Sequence, residues 1–238
     1  MDEKIIDVLE LRRTAKEVKR HVVIMRILAL LAVILILIVA VAYAISYFYD
    51  KFGSFTVKVS KYDMIQQGLT LSETPEYNRS NAVLNADIVY DMTNISGNDL
   101  PDNINMINGS HNGDNYIAYT FYLKNTGDAD LDYQTVMNVT GTSKSVDEAV
   151  RVMVYKNGQE QTFAKGQFNN REQPETDATK WVDETQILNI ESAPLAAGAV
   201  DKYTVVIWCE GNDPECLDPI RGGHMRANMI FNINAEEE

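Results

Sequence analysis

The chain is poor in the residues from which many enzymes build a reactive centre. Its 238 residues include two Cys and three His. The histidines are His21, His111 and His224, and no HExxH zinc motif is present. Glycine-rich phosphate loops and the GxSxG nucleophile elbow are also missing from the sequence. We therefore expect no enzyme activity, no catalytic residue and no resident cofactor, although paired carboxylates for glycoside cleavage stay open as an alternative.

Positive charge is scarce after the first 26 residues. The whole chain carries 21 Lys+Arg against 34 Asp+Glu, for a net charge of −13. Seven of the basic and five of the acidic residues lie in 1–26, so 14 and 29 lie beyond. A domain with this excess of carboxylates repels phosphate, and we expect no nucleic-acid partner.

One long hydrophobic run is present, at residues 27–49. Its 23 residues carry no charge and, as a helix, span a hydrocarbon core about 30 Å thick. Basic residues are concentrated before the run, whereas only Asp50 and Lys51 follow it directly. By the positive-inside rule we expect a cytoplasmic basic segment at 1–26, a transmembrane helix at 27–49 and an extracellular domain at 50–238. The protein is then an integral, single-pass protein of the cell membrane.

A cleaved signal peptide is the alternative interpretation of this run. Ala42-Tyr43-Ala44 has the small-x-small form of a cleavage site, which would release the chain after Ala44. The 26-residue leader and the apolar, aromatic continuation to Tyr49 favour a retained anchor instead.

The hydrophobic period changes to two after the membrane segment. Alternating or apolar runs between turn signals predict strands at 55–59, 84–90, 116–123, 131–139, 150–156, 160–165, 186–190, 202–209 and 225–233. The runs at 116–123 and 202–209 are apolar on both sides, which is typical of central strands. Only 146–150 indicates a helical turn, and 166–184 is a polar loop. We predict an all-β ectodomain, an antiparallel β-sandwich.

Cys209 and Cys216 bracket a short acidic loop, CEGNDPEC. Outside the cell an even pair this close predicts a disulfide, and two free thiols in a reducing niche are the alternative. A redox-active pair is disfavoured, because neighbouring carboxylates raise a thiol pKa.

Two candidate ligand sites follow from acidic and aromatic residues. Glu210, Asp213, Glu215 and Asp218 lie within nine residues and are a candidate Ca²⁺ site. The tract 94–115, with Asp99, Asp102 and Asp114, is a second oxygen-rich segment. Solvated turns explain both tracts equally well. Tyr116, Tyr119 and Tyr122 are candidates for glycan stacking, with core packing as their alternative.

Four runs resemble uncharacterised membrane-anchored surface proteins of Gram-positive bacteria. They are GLTLSETPEYN (68–78), YIAYTFYLKNTGDADLDY (116–133), VDEAVRVMVYKNG (146–158) and DKYTVVIWCEGNDPECLDPIRGG (201–223). The strand–NTGD–strand unit is distantly similar to the camelysin and TasA class of biofilm-matrix proteins. SYFYDKFGSFTV (46–57) also resembles the AYFTD…FTVG export signal of that class, but Tyr49 stands where Thr is usual.

The resemblance implies a jelly-roll-like sandwich and, for some members of the class, fibre assembly by strand exchange. Camelysins have been described as metalloproteases, but this chain offers no ligand set onto which that activity can be carried. We expect a non-enzymatic surface protein that mediates envelope or matrix contacts or self-assembly. An anchored ligand-binding module for glycan or Ca²⁺ is the second hypothesis, and an extracellular hydrolase is a remote third.

Overall fold

A computed structural model describes residues 2–50, 53–77, 79–192 and 194–233 of the chain, with the side chains of 2–19 and 45–50 left out. The chain divides into two compact units, Met1–Lys51 and Phe52–Glu238.

The first unit is one helix, α1, from Asp2 to Asp50. Its segment Arg20–Ala44 has a mean hydropathy of 3.3 and is long and apolar enough to cross a membrane. A signal sequence near an N-terminus has the same properties, so α1 is a candidate for either role. Leu, Ile, Val and Ala make up most of this segment, and all favour or tolerate the helix.

The second unit is built from strands. In its described residues they are β1 Ser54–Val59, β2 Leu69–Ser72, β3 Val83–Asn85, β4 Gly109–Ser110, β5 Tyr116–Asn125, β6 Tyr133–Thr142, β7 Val150–Lys156, β8 Gln159–Ala164, β9 Thr179–Lys180, β10 Gln186–Glu191, β11 Val200–Cys209 and β12 Met225–Ile233. A short helix, α2, spans Lys61–Gln66.

The strands form two sheets. The first sheet has the order β10-β6-β12-β1-β3, and the second has the order β2-β5-β11-β7-β8-β9 with β4 also paired to β5. Most neighbours are antiparallel, whereas β1–β12 and β8–β9 are parallel. The predicted β-sandwich preceded by one helix is thereby confirmed.

The two sheets pack face to face through aromatic residues. Phe231 of β12 lies 5.9 Å from Phe121 of β5 and 5.1 Å from Tyr203 of β11, measured between ring centroids. Alternate residues of β12 are buried, as the period of two predicts. The outer face of the second sheet is covered as well, because Ala118 and Trp208 pack with Ile104 there. This double cover confirms β5 and β11 as central strands.

Two local predictions differ from the structure. The helix α2 was not expected, because none of its residues is buried and so no apolar period marks it. It begins where Ser60 Oγ accepts a hydrogen bond from the Tyr62 N–H at 3.2 Å. The strand expected at 84–90 is short and ends at Asn85, since the Asp87 N–H donates to Ser110 Oγ rather than to a strand partner.

Candidate functional site

The two cysteines lie at the end of β11 and in the loop that follows it. Both are thiols in the structure, with their Sγ atoms 3.8 Å apart. A disulfide requires about 2.05 Å, so the pair is close to bonding distance and the disulfide stays a prediction. Burial, followed by the neighbouring Cys216, raises the pKa of the Cys209 thiol to about 12. A thiol held protonated in this way is a poor nucleophile.

The structure separates the four acidic residues proposed as calcium ligands. Glu210 accepts hydrogen bonds from Trp208 Nε1 at 3.0 Å and from the Gly97 N–H at 2.9 Å. Burial alone would raise the Glu210 pKa, but these donors and the Asn212 N–H lower it. The side chain of Asp218 is 94% exposed. Glu210 therefore links the start of the 3₁₀ turn Gly97–Asp99 to Trp208 of β11. Asp218 faces solvent.

Asp213 and Glu215 instead meet Glu175, which belongs to the polar loop 166–184. Oxygen atoms of the three carboxyl groups all lie within 4.8 Å of one another, and we name these residues the acidic cluster. Arg151 of β7 contacts the acidic cluster, with Nη2 at 2.5 Å from Asp213 Oδ2 and 3.8 Å from Glu175 Oε2. Carboxylate oxygens grouped in this way are a donor set that suits Ca²⁺.

Among the described residues, Arg151 is the one cation that forms an ion pair with the acidic cluster, which holds three carboxyl groups, so negative charge is in excess. Burial, followed by the charge of Asp213, raises the Glu175 pKa, and Arg151 opposes this shift. Burial, a hydrogen bond to Asp213 and the nearby charges also raise the Glu215 pKa. Protons relieve the excess charge, and a divalent cation would relieve it in the same way. Calcium binding stays a prediction, now with Glu175 added to its ligand set.

A second group of charged residues lies around Lys165, at the end of β8. Lys165 Nζ is 2.7 Å from Asp147 Oδ2, 3.2 Å from Glu148 Oε1 and 2.9 Å from Glu184 Oε2. Arg171 Nη1 lies 2.5 Å from Glu148 Oε2. We name these five residues the Lys165 cluster. No sequence pattern predicts this cluster, because its members come from separate segments and carry no spacing signal.

Histidine chemistry is limited by existing hydrogen bonds. His111 Nδ1 and Nε2 lie 2.8 and 2.7 Å from the carbonyl oxygens of Gly109 and Ile104, so neither nitrogen is available to a metal. His224 Nδ1 lies 2.8 Å from Ser143 Oγ, which is the contact that a hydrolase dyad would need. The same Oγ accepts the His224 N–H at 3.1 Å, and the Ser143 N–H donates to His224 O at 3.0 Å. These bonds also explain the pair as a turn-stabilising contact.

The tyrosines proposed for glycan stacking are placed differently by the structure. Tyr119 and Tyr122 are buried, and their hydroxyls donate to Glu73 Oε1 at 2.5 Å and Asn108 Oδ1 at 2.6 Å. Tyr116 is half-buried. Core packing, the alternative given above, therefore describes Tyr119 and Tyr122.

The second oxygen-rich tract, 94–115, divides into structural turns and one wall of a groove. Asp99 Oδ2 accepts the Ser96 N–H at 3.3 Å in a capping box. Asp102 is exposed on the surface. Asp114 lies beside a groove between segments 87–91 and 110–115. No sequence signal indicated that these two segments lie together.

No family model and no curated protein matches the chain. Among solved structures it is similar to a β-glucosidase from Kluyveromyces marxianus in complex with glucose, with 16% identity, a TM-score of 0.26, and coverage of 71% of this chain and 17% of that one. The selenomethionine form of that enzyme has 14% identity and a TM-score of 0.23, with coverage of 68% of this chain and 16% of that one. A PapD-like domain of human CEP192 gives 11% identity, a TM-score of 0.17, and coverage of 52% and 75%. The chain spans about one sixth of the length of the β-glucosidase, and these weak likenesses assign no function.

Proposed function

We propose that the chain is a non-enzymatic, single-pass surface protein of the cell membrane, with its N-terminus in the cytoplasm and its β-sandwich outside. Its sandwich mediates envelope or matrix contacts through self-assembly, in keeping with the resemblance to Gram-positive surface proteins of the camelysin and TasA class. The concentration of Lys and Arg before 27–49, with only Lys51 directly after it, supports this orientation.

The position of β1 is the observation that carries the assembly proposal. This strand follows α1 in the chain, yet it lies inside the first sheet, between β12 and β3. Phe55, Val57 and Val59 of β1 are buried, each contributing about 1.5–3 kcal/mol of apolar burial. A strand at the start of a domain that fills an interior slot can fill the same slot of a second copy.

Cysteine cross-linking tests this exchange. Thr56 of β1 is in register with Asn228 of β12, so Thr56→Cys with Asn228→Cys reports which chain supplies β1. Both substitutions are made in the full chain with Cys209→Ser and Cys216→Ser, and two differently tagged copies are mixed in detergent micelles. Exchange predicts disulfide-linked ladders that contain both tags.

The matched control is Asn138→Cys with Asn228→Cys, because β6 and β12 pair without β1. This control forms its disulfide within one chain whether or not β1 exchanges. Cross-links at Thr56 that stay within one chain at every concentration would contradict assembly by exchange.

A hydrolase is the second candidate, and the Ser143–His224 contact is the observation in its favour. Its test is hydrolysis of peptide and glycan panels by the full chain and by Ser143→Ala. A turnover that disappears in Ser143→Ala would replace the non-enzymatic proposal.

A further inference from the structure

A groove opens between loop segments 87–91 and 110–115. It is a shallow, largely open groove with a volume of about 680 Å³. Tyr90 is 57% exposed and Ile88 is 42% exposed along one wall. Ser110, Asn112 and Asn115 line the other wall, where Ser110 Oγ, both polar atoms of the Asn112 side chain and Asn115 Oδ1 are hydrogen-bonded within the protein. The groove thus combines an exposed aromatic surface with walls held by internal hydrogen bonds.

The two walls are cross-linked by hydrogen bonds. The Asp87 N–H donates to Ser110 Oγ at 2.9 Å, and Asn112 Nδ2 donates to Asp87 O at 2.8 Å. Asn112 Oδ1 also accepts the Ala118 N–H of β5 at 2.9 Å. Because these bonds fix the walls to each other and to the sheet, a ligand pays little for ordering the groove.

The charge of the groove selects the class of ligand. Asp87, Asp91 and Asp114 line it, and no Lys or Arg is among its described lining residues. Among the hydrogen bonds and ion pairs of the described residues, none engages these three carboxylates. The groove therefore repels phosphate, sulfate and uronate groups and attracts ammonium and hydroxyl donors.

A single metal ion does not fit this arrangement. Within the described part of the chain, the acidic cluster is the one group of three or more potential ligands within 4.8 Å. The groove carboxylates are therefore too dispersed to share an ion. His111 also lines the groove, but both of its ring nitrogens already face carbonyl oxygens.

We propose that the groove binds a glycan chain that carries free amino sugars. The sugar ring stacks on Tyr90, while its ammonium and hydroxyl groups donate to the carboxylates of Asp87, Asp91 and Asp114. A basic peptide that binds as an added strand fits less well, because these walls are mainly loops and offer little open strand edge. This inference is independent of β1 exchange, since no residue of β1 lines the groove.

Calorimetric titration of the full chain in nanodiscs with glucosamine hexamer tests the proposal. We expect saturable binding that weakens with added salt, because ammonium–carboxylate attraction is screened. The N-acetylated hexamer should bind at least about tenfold more weakly, a difference near 1.4 kcal/mol. Oligogalacturonate and octalysine are the anionic and peptide probes.

Two variants locate the binding. Tyr90→Ala and Asp114→Asn should each weaken glucosamine-hexamer binding severalfold. Their matched controls are Tyr62→Ala, whose side chain is 68% exposed on α2, and Asp218→Asn, and both should bind like the parent. Thermal melts check that Asp114→Asn, a conservative change at an exposed position, keeps the fold. Four results would overturn the proposal. They are absence of hexamer binding, equal binding of the acetylated hexamer, binding unchanged in Tyr90→Ala and Asp114→Asn, and binding of octalysine alone.

Discussion

The acidic cluster and the Lys165 cluster contain similar numbers of carboxylates but differ in their cations. Asp147, Glu148 and Glu184 share Lys165 and Arg171, whereas Arg151 is the one cation paired with the acidic cluster in the described part of the chain. Burial would raise the Asp147 pKa, yet hydrogen bonds from Lys165 and Thr142 lower it. In the acidic cluster the pKa values of Glu175 and Glu215 are raised. Burial acts to raise the carboxyl pKa in both clusters, and the nearby cations and hydrogen-bond donors decide whether this rise is offset.

The largest expected effect comes from the loss of Lys165, the central cation of the Lys165 cluster. Lys165→Met leaves Asp147 and Glu148 buried without their ammonium partner, which costs about 3–5 kcal/mol of unfolding free energy. Urea unfolding of the full chain in micelles, followed by Trp fluorescence, measures the loss. Lys180→Met is the control, because its partner Glu172 has a side chain that is 89% exposed and should contribute little. Equal losses in the two variants would contradict the buried-pair interpretation.

Removal of Arg151 should have a smaller effect that depends on pH. Arg151→Met takes away the only cation that contacts Asp213 and Glu175 among the described residues. The pKa of Glu175 is raised, so this carboxyl group holds a proton more readily at pH 5 than at pH 8, where it must ionise without a partner. We expect the destabilisation to approach about 3 kcal/mol at pH 8 and to be clearly less at pH 5. Urea midpoints at both pH values measure this difference. A loss of stability that does not depend on pH would contradict an excess of negative charge in the acidic cluster.

Glu215→Gln and Asp147→Asn should change the pH dependence of stability in opposite directions. The folded-state pKa of Glu215 is raised above its ordinary 4.5, so its contribution is full at lower pH and is lost as pH rises through the folded value. Glu215→Gln should remove this loss and gain about 1 kcal/mol or less at pH 8. The Asp147 pKa is lowered from 3.8, so its contribution is present above that value and is lost as pH falls. Thermal melts between pH 3 and pH 8 measure the stability of both variants. If the stability change relative to the parent depended on pH in the same way in both variants, the opposite pKa shifts of Glu215 and Asp147 would be contradicted.

Calcium should have the smallest effect and should act on one cluster alone. At a concentration equal to its Kd, Ca²⁺ adds about 0.4 kcal/mol of stability, and extracellular sites bind with Kd of about 0.1–1 mM. We expect millimolar Ca²⁺ to raise the Tm at pH 8 and Glu175→Gln to abolish the increase. Glu184→Gln, in the Lys165 cluster, is the control that should retain it. An increase that survives Glu175→Gln would place calcium elsewhere.

Much of the fold could be predicted from local patterns. Alternation in 225–233 predicts a strand with Ala227, Met229 and Phe231 on its buried face, and the structure places them there. The parallel pairing of β1 with β12 could not be predicted, because the two strands lie at opposite ends of the domain sequence. For the candidate site, the acidic loop was found and Asp213 and Glu215 were named, but Glu175 was not.

The sequence by itself determined the apolar helix, the change to a period of two and the acidic charge of the β domain, because each depends on neighbouring residues. The tertiary structure alone decided which charges meet. Glu175 joins Asp213 and Glu215, and Lys165 joins Asp147, because the pairing of β7 with β8 and β11 in the second sheet brings the ends of separate segments together. Side-chain ionisation depends on these distances and on burial, and neither quantity is encoded in local spacing.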